Sequence, residues 1–315
     1  MSTVKKYLSL IKFSHTIFAM PFALIGFFLG LDYFFHLSSY FNNSFDRYAV
    51  NNSTSALQHD FFTISFWAIK LFLVILCMVF ARSAAMAFNR YLDRAFDAKN
   101  PRTAIREIPA GIIKSNSALL FVIICCVLFV ACTFFINRIC FYLSPVALFV
   151  VLFYSYTKRF TAFCHIVLGV GLSLAPIGAY LAVTGVFALL PILFSFAVVF
   201  WVSGFDIIYA LQDEEFDKNN KLYSIPSTIG KVKALRVSEI LHLLSAVCVV
   251  YAGVHGKFGT SYWLGIAFFI GMLVYQHSIV KPNDLRRVNI AFMTANGIAS
   301  VVFAVFVLID LFIKR

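Results

Sequence analysis

Long apolar runs separated by short polar stretches set the pattern of this chain. Crossing the hydrocarbon core of a bilayer takes about 20 mainly apolar residues in a helix. The runs predict nine such spans, at roughly 13–35, 62–88, 117–136, 141–157, 163–183, 186–208, 233–253, 260–280 and 289–312. The fourth is short, and a tight turn after Thr184-Gly185 joins the fifth to the sixth. Connections are mostly brief, so the expectation is an all-α, polytopic membrane protein with one domain over residues 1–315. The longest connection, 36–61, is polar and rich in Asn and Ser, and it is expected to be a loop on the outer side. The first apolar run is too long for a signal-peptide core and carries no small-residue cleavage site, so it is expected to be retained.

Composition agrees: 61% of residues are hydrophobic and 13% charged, which excludes an ordinary soluble domain. Positive charge then sets orientation. With the N-terminus inside, only Arg47, Arg138, Lys257, Lys314 and Arg315 fall outside, and Lys70 and Arg82 lie within the second span. Every other Lys and Arg falls on the inner side. The net charge of +12 therefore reflects topology and anionic lipid headgroups. No basic stripe on a soluble face suggests nucleic acid. The seven cysteines show no metal-type spacing and read as small apolar fillers. His15, His165, His242 and His277, near the ends of apolar segments, read as satisfied structural residues.

Against this background two acidic clusters stand out, because the chain has only 14 Asp and Glu. The first runs from Asn89 to Asp97, the second from Asp206 through Asp213 to Asp217, both at the inner edge of a span. Carboxylates beside hydrocarbon are expensive unless they face a polar cavity, a cation or each other. Asn89, Asp93 and Asp97 follow i, i+4, i+8, which puts them on one helix face. Asp206, Asp213 and Asp217 follow i, i+7, i+11, and one face is again expected. Such oxygen rows suit Mg²⁺, which takes one or two carboxylates and completes its shell with water and phosphate oxygens. Two rows facing each other would clamp a diphosphate. Cations that such a group also needs surround them: Arg90, Arg94, Arg102 and Arg106 by the first, Lys218 and Lys221 by the second. Tyr154-Ser155-Tyr156-Thr157-Lys158-Arg159 ends the fourth span with two phenols and two cations. Arg82, two turns before Asn89, is placed either to bind a substrate anion or to pair with Asp93.

Asn89-Arg90-x-x-Asp93-x-x-x-Asp97 resembles the first aspartate motif of the UbiA superfamily of intramembrane prenyltransferases. Asp206-x-x-Tyr209-Ala210-x-Gln212-Asp213-x-x-x-Asp217 resembles the second. The likeness extends to Lys12-Phe13-Ser14-His15-Thr16, to Tyr154–Arg159, to Ala175-Pro176-Ile177-Gly178-Ala179 and to Lys281-Pro282-x-Asp284-Leu285. It implies nine helices around a central cavity that opens laterally to lipid. It further implies Mg²⁺ on Asn89, Asp93, Asp97, Asp213 and Asp217, with Asp206 in support. Tyr154 and Lys158 look like the family's Tyr-x-x-x-Lys pair, which with Asp93 and Asp213 would form the catalytic group. Arg82, Arg90, Arg94, Arg102, Arg159, Tyr209 and Lys218 would contact substrate. The loops Asn100–Ala104 and Arg106–Gly111 look most like the bacterial 4-hydroxybenzoate polyprenyltransferases.

The activity so implied is transfer of a polyprenyl chain from its diphosphate to a small aromatic acid in quinone biosynthesis, at the inner membrane of a bacterium with the site facing the cytoplasm. A hydroxybenzoate (ubiquinone) and a dihydroxynaphthoate (menaquinone) both stay open as acceptors, as do tail length and oligomeric state. The rival class is a cation-coupled transporter. Transport sites lie near the bilayer midplane on broken helices, whereas these aspartates gather at one boundary.

Overall fold

The computed structural model describes residues 3–11, 18–45 and 56–313. It is helical throughout, apart from an isolated bridge between Lys281 and Asp284. In chain order the helices are α1 (Thr3–Leu10), α2 (Met20–Phe45), α3 (Ala56–Asp97), α4 (Ser115–Ile136), α5 (Arg138–Thr157), α6 (Cys164–Thr184) and α7 (Leu189–Ala210), followed by α8 (Glu214–Asn219), α9 (Ile225–His255), α10 (Thr260–Ile279) and α11 (Asn296–Ile313). A 3₁₀ turn, Leu211–Asp213, joins α7 to α8, and a π-helical turn, Ile290–Ala295, leads into α11. Among the described residues eight helices are long and apolar enough to cross a membrane, and Met20–His36 of α2 is a shorter apolar helix at the first expected span.

Two departures from the sequence reading have simple causes. The connection expected at 36–61 is largely helical, because α2 continues to Phe45 and α3 begins at Ala56. The sequence of these helix ends is rich in polar residues and has no apolar run, so hydropathy reads them as loop. Residues 12–16, with the Lys12–Thr16 motif and His15, lie outside the described residues, as do Arg47, Lys314 and Arg315.

The second half of the bundle has an aromatic core. Phe22, Trp201, Phe205, Phe269 and Phe303 are almost wholly buried. Their rings sit 5.1–6.1 Å apart in pairs such as Trp201–Phe205 and Phe22–Phe303, at tilted or edge-on angles. Inside it lies Asn296, fully satisfied: it accepts from Trp201 Nε1 (2.9 Å) and Gln276 Nε2 (2.8 Å) and donates to the Ala291 and Phe292 carbonyls. Those carbonyls belong to the π turn, whose altered ladder needs such a partner. All seven cysteines are free thiols.

Asp310 of α11 is buried and accepts from Gly259 N (2.8 Å) and Tyr262 N (3.3 Å). It thus caps the first turn of α10 from a different helix. An Asp310→Ala protein should lose about 1–3 kcal/mol of stability, seen as a lower thermal midpoint in detergent.

Candidate functional site: a charged mouth on an apolar cavity

At the helical rise, the apolar part of α3 from Ser65 to Asp97 is about 50 Å long, against roughly 30 Å of hydrocarbon. Its aspartate end therefore stands at the membrane boundary. Because the helices alternate in direction, the C-termini of α5 and α7 and the N-termini of α6 and α9 reach the same end. Between them opens a cavity of about 610 Å³. Its mouth is lined by Asp93, Asp97, Asp213 and Asp217 and its depth by apolar side chains of α3 to α6.

The first row is as its spacing predicts. α3 is continuous, Asn89, Asp93 and Asp97 all line the cavity, and Asn89 Nδ2 donates to Asp93 Oδ2 at 3.3 Å. The second row is not carried by a single helix, although Asp206, Asp213 and Asp217 all line the same cavity. The 3₁₀ turn Leu211–Asp213 ends the α-helix after Ala210, and the three carboxylates take different partners. Asp206 accepts from His165 Nδ1 (2.7 Å), whose Nε2 in turn accepts the Ile225 N–H (3.3 Å). That second bond fixes the proton on Nδ1. Asp213 is gripped by both arms of Arg102, through Nε (3.1 Å) and Nη2, while Arg102 Nη1 donates to the Tyr209 hydroxyl (2.8 Å). Asp217, wholly buried, lies 2.8 Å from Lys158 Nζ, a close ion pair without hydrogen-bond alignment, and accepts from Ser224 Oγ (2.9 Å).

Row one is neutralised in the same way. Arg159 Nη2 reaches Asp93 Oδ1 at 3.2 Å, and Arg106 Nη1 reaches Asp97 Oδ1 at 2.6 Å. Burial alone would weaken the charge on Arg102 and Lys158. The carboxylates of Asp213 and Asp217 outweigh that effect, and both cations are held above their ordinary pKa. The mouth is thus a lattice of alternating charges, with loop 98–114 delivering Arg102 and Arg106 across it.

Two of the described cations that line the cavity have no such partner. Arg90 is 6% exposed, and its Nε and Nη1 have no hydrogen-bond acceptor. Arg82 Nε is equally orphaned, and Arg82 does not pair with Asp93. Both line the cavity, as do Tyr154, Lys158, Arg102 and Tyr209. Arg94 and Lys218 stand apart from it: Arg94 bonds the Tyr91 carbonyl of its own helix (2.6 Å), and Lys218 bonds Glu214 (2.6 Å). Among the described residues no three Asp, Glu, His or Cys side chains sit close enough to hold a metal unaided. The donors nonetheless fit Mg²⁺ in kind. They are hard oxygens in two rows at one cavity, Asp97 Oδ2 is buried without a partner, and Mg²⁺ takes most of its shell from water and phosphate.

Comparison with known proteins bears on this arrangement. Residues 61–298 match the UbiA prenyltransferase family. The chain belongs to that family. The UbiA chain is 30% identical over 245 residues to the 4-hydroxybenzoate octaprenyltransferase of Nitrosomonas europaea, covering 77% of this chain and 82% of that one. Against the enzyme of the same name from Nitrosospira multiformis it is 29% identical over 238 residues, with 76% and 82% covered. In fold it resembles a UbiA homologue from Aeropyrum pernix K1 (TM-score 0.73, 23% identity, 95% and 98% covered). A UbiA homologue from Archaeoglobus fulgidus bound to DMAPP and Mg²⁺ is similar (TM-score 0.70, 20% identity, 98% and 99% covered). This UbiA protein is accordingly an integral membrane prenyltransferase.

Three residues that join this UbiA site, Asn100, His165 and Ser224, carry little sequence signal of their own, and a fourth, Arg106, is expected by the first cluster but without its partner. Asn100 donates to Asp213 Oδ1 (3.2 Å) and accepts the Arg102 N–H (3.0 Å), shaping the loop that presents Arg102. Arg106 binds Asp97 from nine residues away, and His165 reads as a structural histidine until its partner is seen. Ser224 had the one legible cue: it opens α9 with a capping box to Ser227, and the same hydroxyl reaches Asp217.

Proposed function

We propose that this protein transfers a polyprenyl chain from its diphosphate to a small aromatic acid, 4-hydroxybenzoate first among the acceptors, in quinone biosynthesis. One observation carries the reading: two acidic rows, each interleaved with arginine or lysine, stand at the charged end of a single apolar cavity. That polarity matches an amphiphile with an anionic head and a hydrocarbon tail. The names of the relatives support the acceptor, and the distribution of Lys and Arg supports a site facing the cytoplasm of a bacterial inner membrane.

Asn89, Asp93 and Asp97 on one side and Asp213 and Asp217 on the other would hold Mg²⁺, with Asp206 in support. When bound, the ion supplies neutralisation of charge on the departing diphosphate. Arg102, Lys158 and Arg159 already stand at these carboxylates and present N–H donors to diphosphate oxygens as they arrive. Arg90, buried with two N–H groups unused, adds a fixed positive charge. Tyr154 borders the reacting end. The apolar walls keep water from the allylic cation, so the electron-rich ring attacks it, ortho to its hydroxyl, and then loses a proton. Arg82 lies about 10 Å deeper than Asn89 along α3 and is the group placed to take the acceptor's carboxylate.

Purified protein with Mg²⁺, a labelled polyprenyl diphosphate and a panel of hydroxybenzoates and dihydroxynaphthoates tests this. The expected product is a prenylated aromatic acid identified by mass; no prenylated product with any acid sinks the reading. Arg82→Met should raise KM for the acceptor about tenfold or more, as a lost charge-assisted bond does. The KM for the donor should stay near wild type. Equal changes in both would remove Arg82 from the acceptor site.

A further inference from the structure

The short helix α1 lies against the loop that carries two of the site's arginines. Leu10 and Ile11, at its C-terminal end, are buried with Ala87 of α3, Val122 of α4 and Ile113 of loop 98–114. Tyr7 packs on Phe121 of α4, their ring centroids 5.0 Å apart. A polar contact crosses this apolar seam: Ser9 Oγ donates to Glu107 Oε1.

The loop transmits what happens at Glu107, because its backbone is bonded to itself from Asn100 to Ile113. Thr103 N donates to Asn100 O (2.9 Å), Arg106 N to Thr103 O (3.0 Å), Ala110 N to Arg106 O (2.9 Å) and Ile113 N to Glu107 O (3.0 Å). Arg102 and Arg106, which hold Asp213 and Asp97, sit inside that folded unit. Ser9 therefore ties α1 to the piece of chain that presents both guanidinium groups.

Glu107 is costly where it stands. It is 8% exposed, Ser9 satisfies one of its oxygens, and Oε2 has no hydrogen-bond partner. Its charge acts on Arg90 alongside that of Asp97. A half-satisfied buried carboxylate lowers stability, and a well-packed apolar residue of similar volume is often as stable or more so. Packing alone does not account for an acid here. What it supplies is an anchor for α1.

We propose that Ser9 and Glu107 are positioning residues for diphosphate binding: α1 straps loop 98–114 through their bond and so keeps Arg102 and Arg106 aimed at the mouth. The inference rests on the prenyl-transfer reading above. Neither residue borders the cavity, so both act through the loop. A loop pinned at Glu107 gives the two arginines a fixed base, and less order is lost when the diphosphate arrives.

Binding of a non-reactive geranyl thiodiphosphate in the presence of Mg²⁺ tests this on the full chain, as wild type, Glu107→Leu, Ser9→Ala and Ser9→Thr, each with its thermal midpoint. Glu107→Leu should keep a midpoint at or above that of wild type and yet bind the analogue about fivefold more weakly, the worth of roughly one hydrogen bond. Ser9→Ala should weaken binding by a similar factor. Ser9→Thr keeps the hydroxyl and should stay within about twofold of wild type. The KM for the aromatic acid should not move in any of them. Should Glu107→Leu fold poorly, the two Ser9 variants decide alone. Unchanged affinity in Ser9→Ala, a threonine that binds no better than alanine, or an equal loss for donor analogue and acceptor overturns the strap. If wild type does not bind the analogue, the prenyl-transfer reading itself fails and takes this inference with it.

Discussion

Asp213→Asn should abolish nearly all transfer, by about a thousandfold or roughly 4 kcal/mol of barrier, while leaving a folded protein. Asparagine keeps the shape of the side chain, and its Oδ1 can still accept from Asn100 Nδ2. What it removes is the negative charge that Arg102 grips with two nitrogens and that the proposed Mg²⁺ needs. Asp93→Asn attacks the opposite row and should fall as far. The two rows act on one leaving group, so the double variant should be little worse than either single one. Initial rates with monodispersity and thermal midpoint alongside give the answer. Near-normal turnover by either variant would show that its row takes no part.

Lys158→Met has a different signature, because it strikes stability and activity together. Asp217 has no exposed surface, and without Lys158 only Ser224 would remain at its carboxylate. An uncompensated buried charge typically costs about 3–5 kcal/mol. The thermal midpoint should drop sharply, and Lys158→Met with Asp217→Asn should recover much of it. Transfer should stay lost in the pair, since both the cation and a carboxylate of the site are gone. If the pair restores transfer, Lys158 is structural. The stabilising charge persists over a wide pH range. Lys158 is held above the ordinary lysine pKa by Asp217 despite burial. Its contribution is therefore complete below the unfolded value and fades only as pH rises through the higher folded one, in strong alkali.

The parts of this site that could be read in advance are those fixed by one uninterrupted helix. Asn89, Asp93 and Asp97 keep their i, i+4, i+8 face because α3 runs unbroken to Asp97. The second row crosses a helix break, since the 3₁₀ turn Leu211–Asp213 separates α7 from α8, yet Asp206, Asp213 and Asp217 all line the same cavity. Nothing in the local composition of Leu211-Gln212-Asp213 announces that turn. Long-range pairings were out of reach for another reason. Arg102–Asp213 and His165–Asp206 join residues 111 and 41 apart, and an arginine in a basic loop looks alike whether it grips a carboxylate or faces water. Arg94 and Lys218, adjacent in sequence to the clusters, illustrate the converse, for both turn to partners on their own helices. The spans were legible from hydropathy, except where α2 and α3 continue as helix through polar sequence.

The central claim is that both rows bind one diphosphate together through divalent ions. Binding of a non-reactive polyprenyl thiodiphosphate to purified protein, titrated with Mg²⁺ and then with chelator, measures this without turnover. Wild type should bind at least about a hundredfold more tightly with Mg²⁺, and Asp93→Asn and Asp213→Asn should each remove that gain. Tight binding that ignores Mg²⁺, or a Mg²⁺ gain that survives the loss of either row, would contradict it.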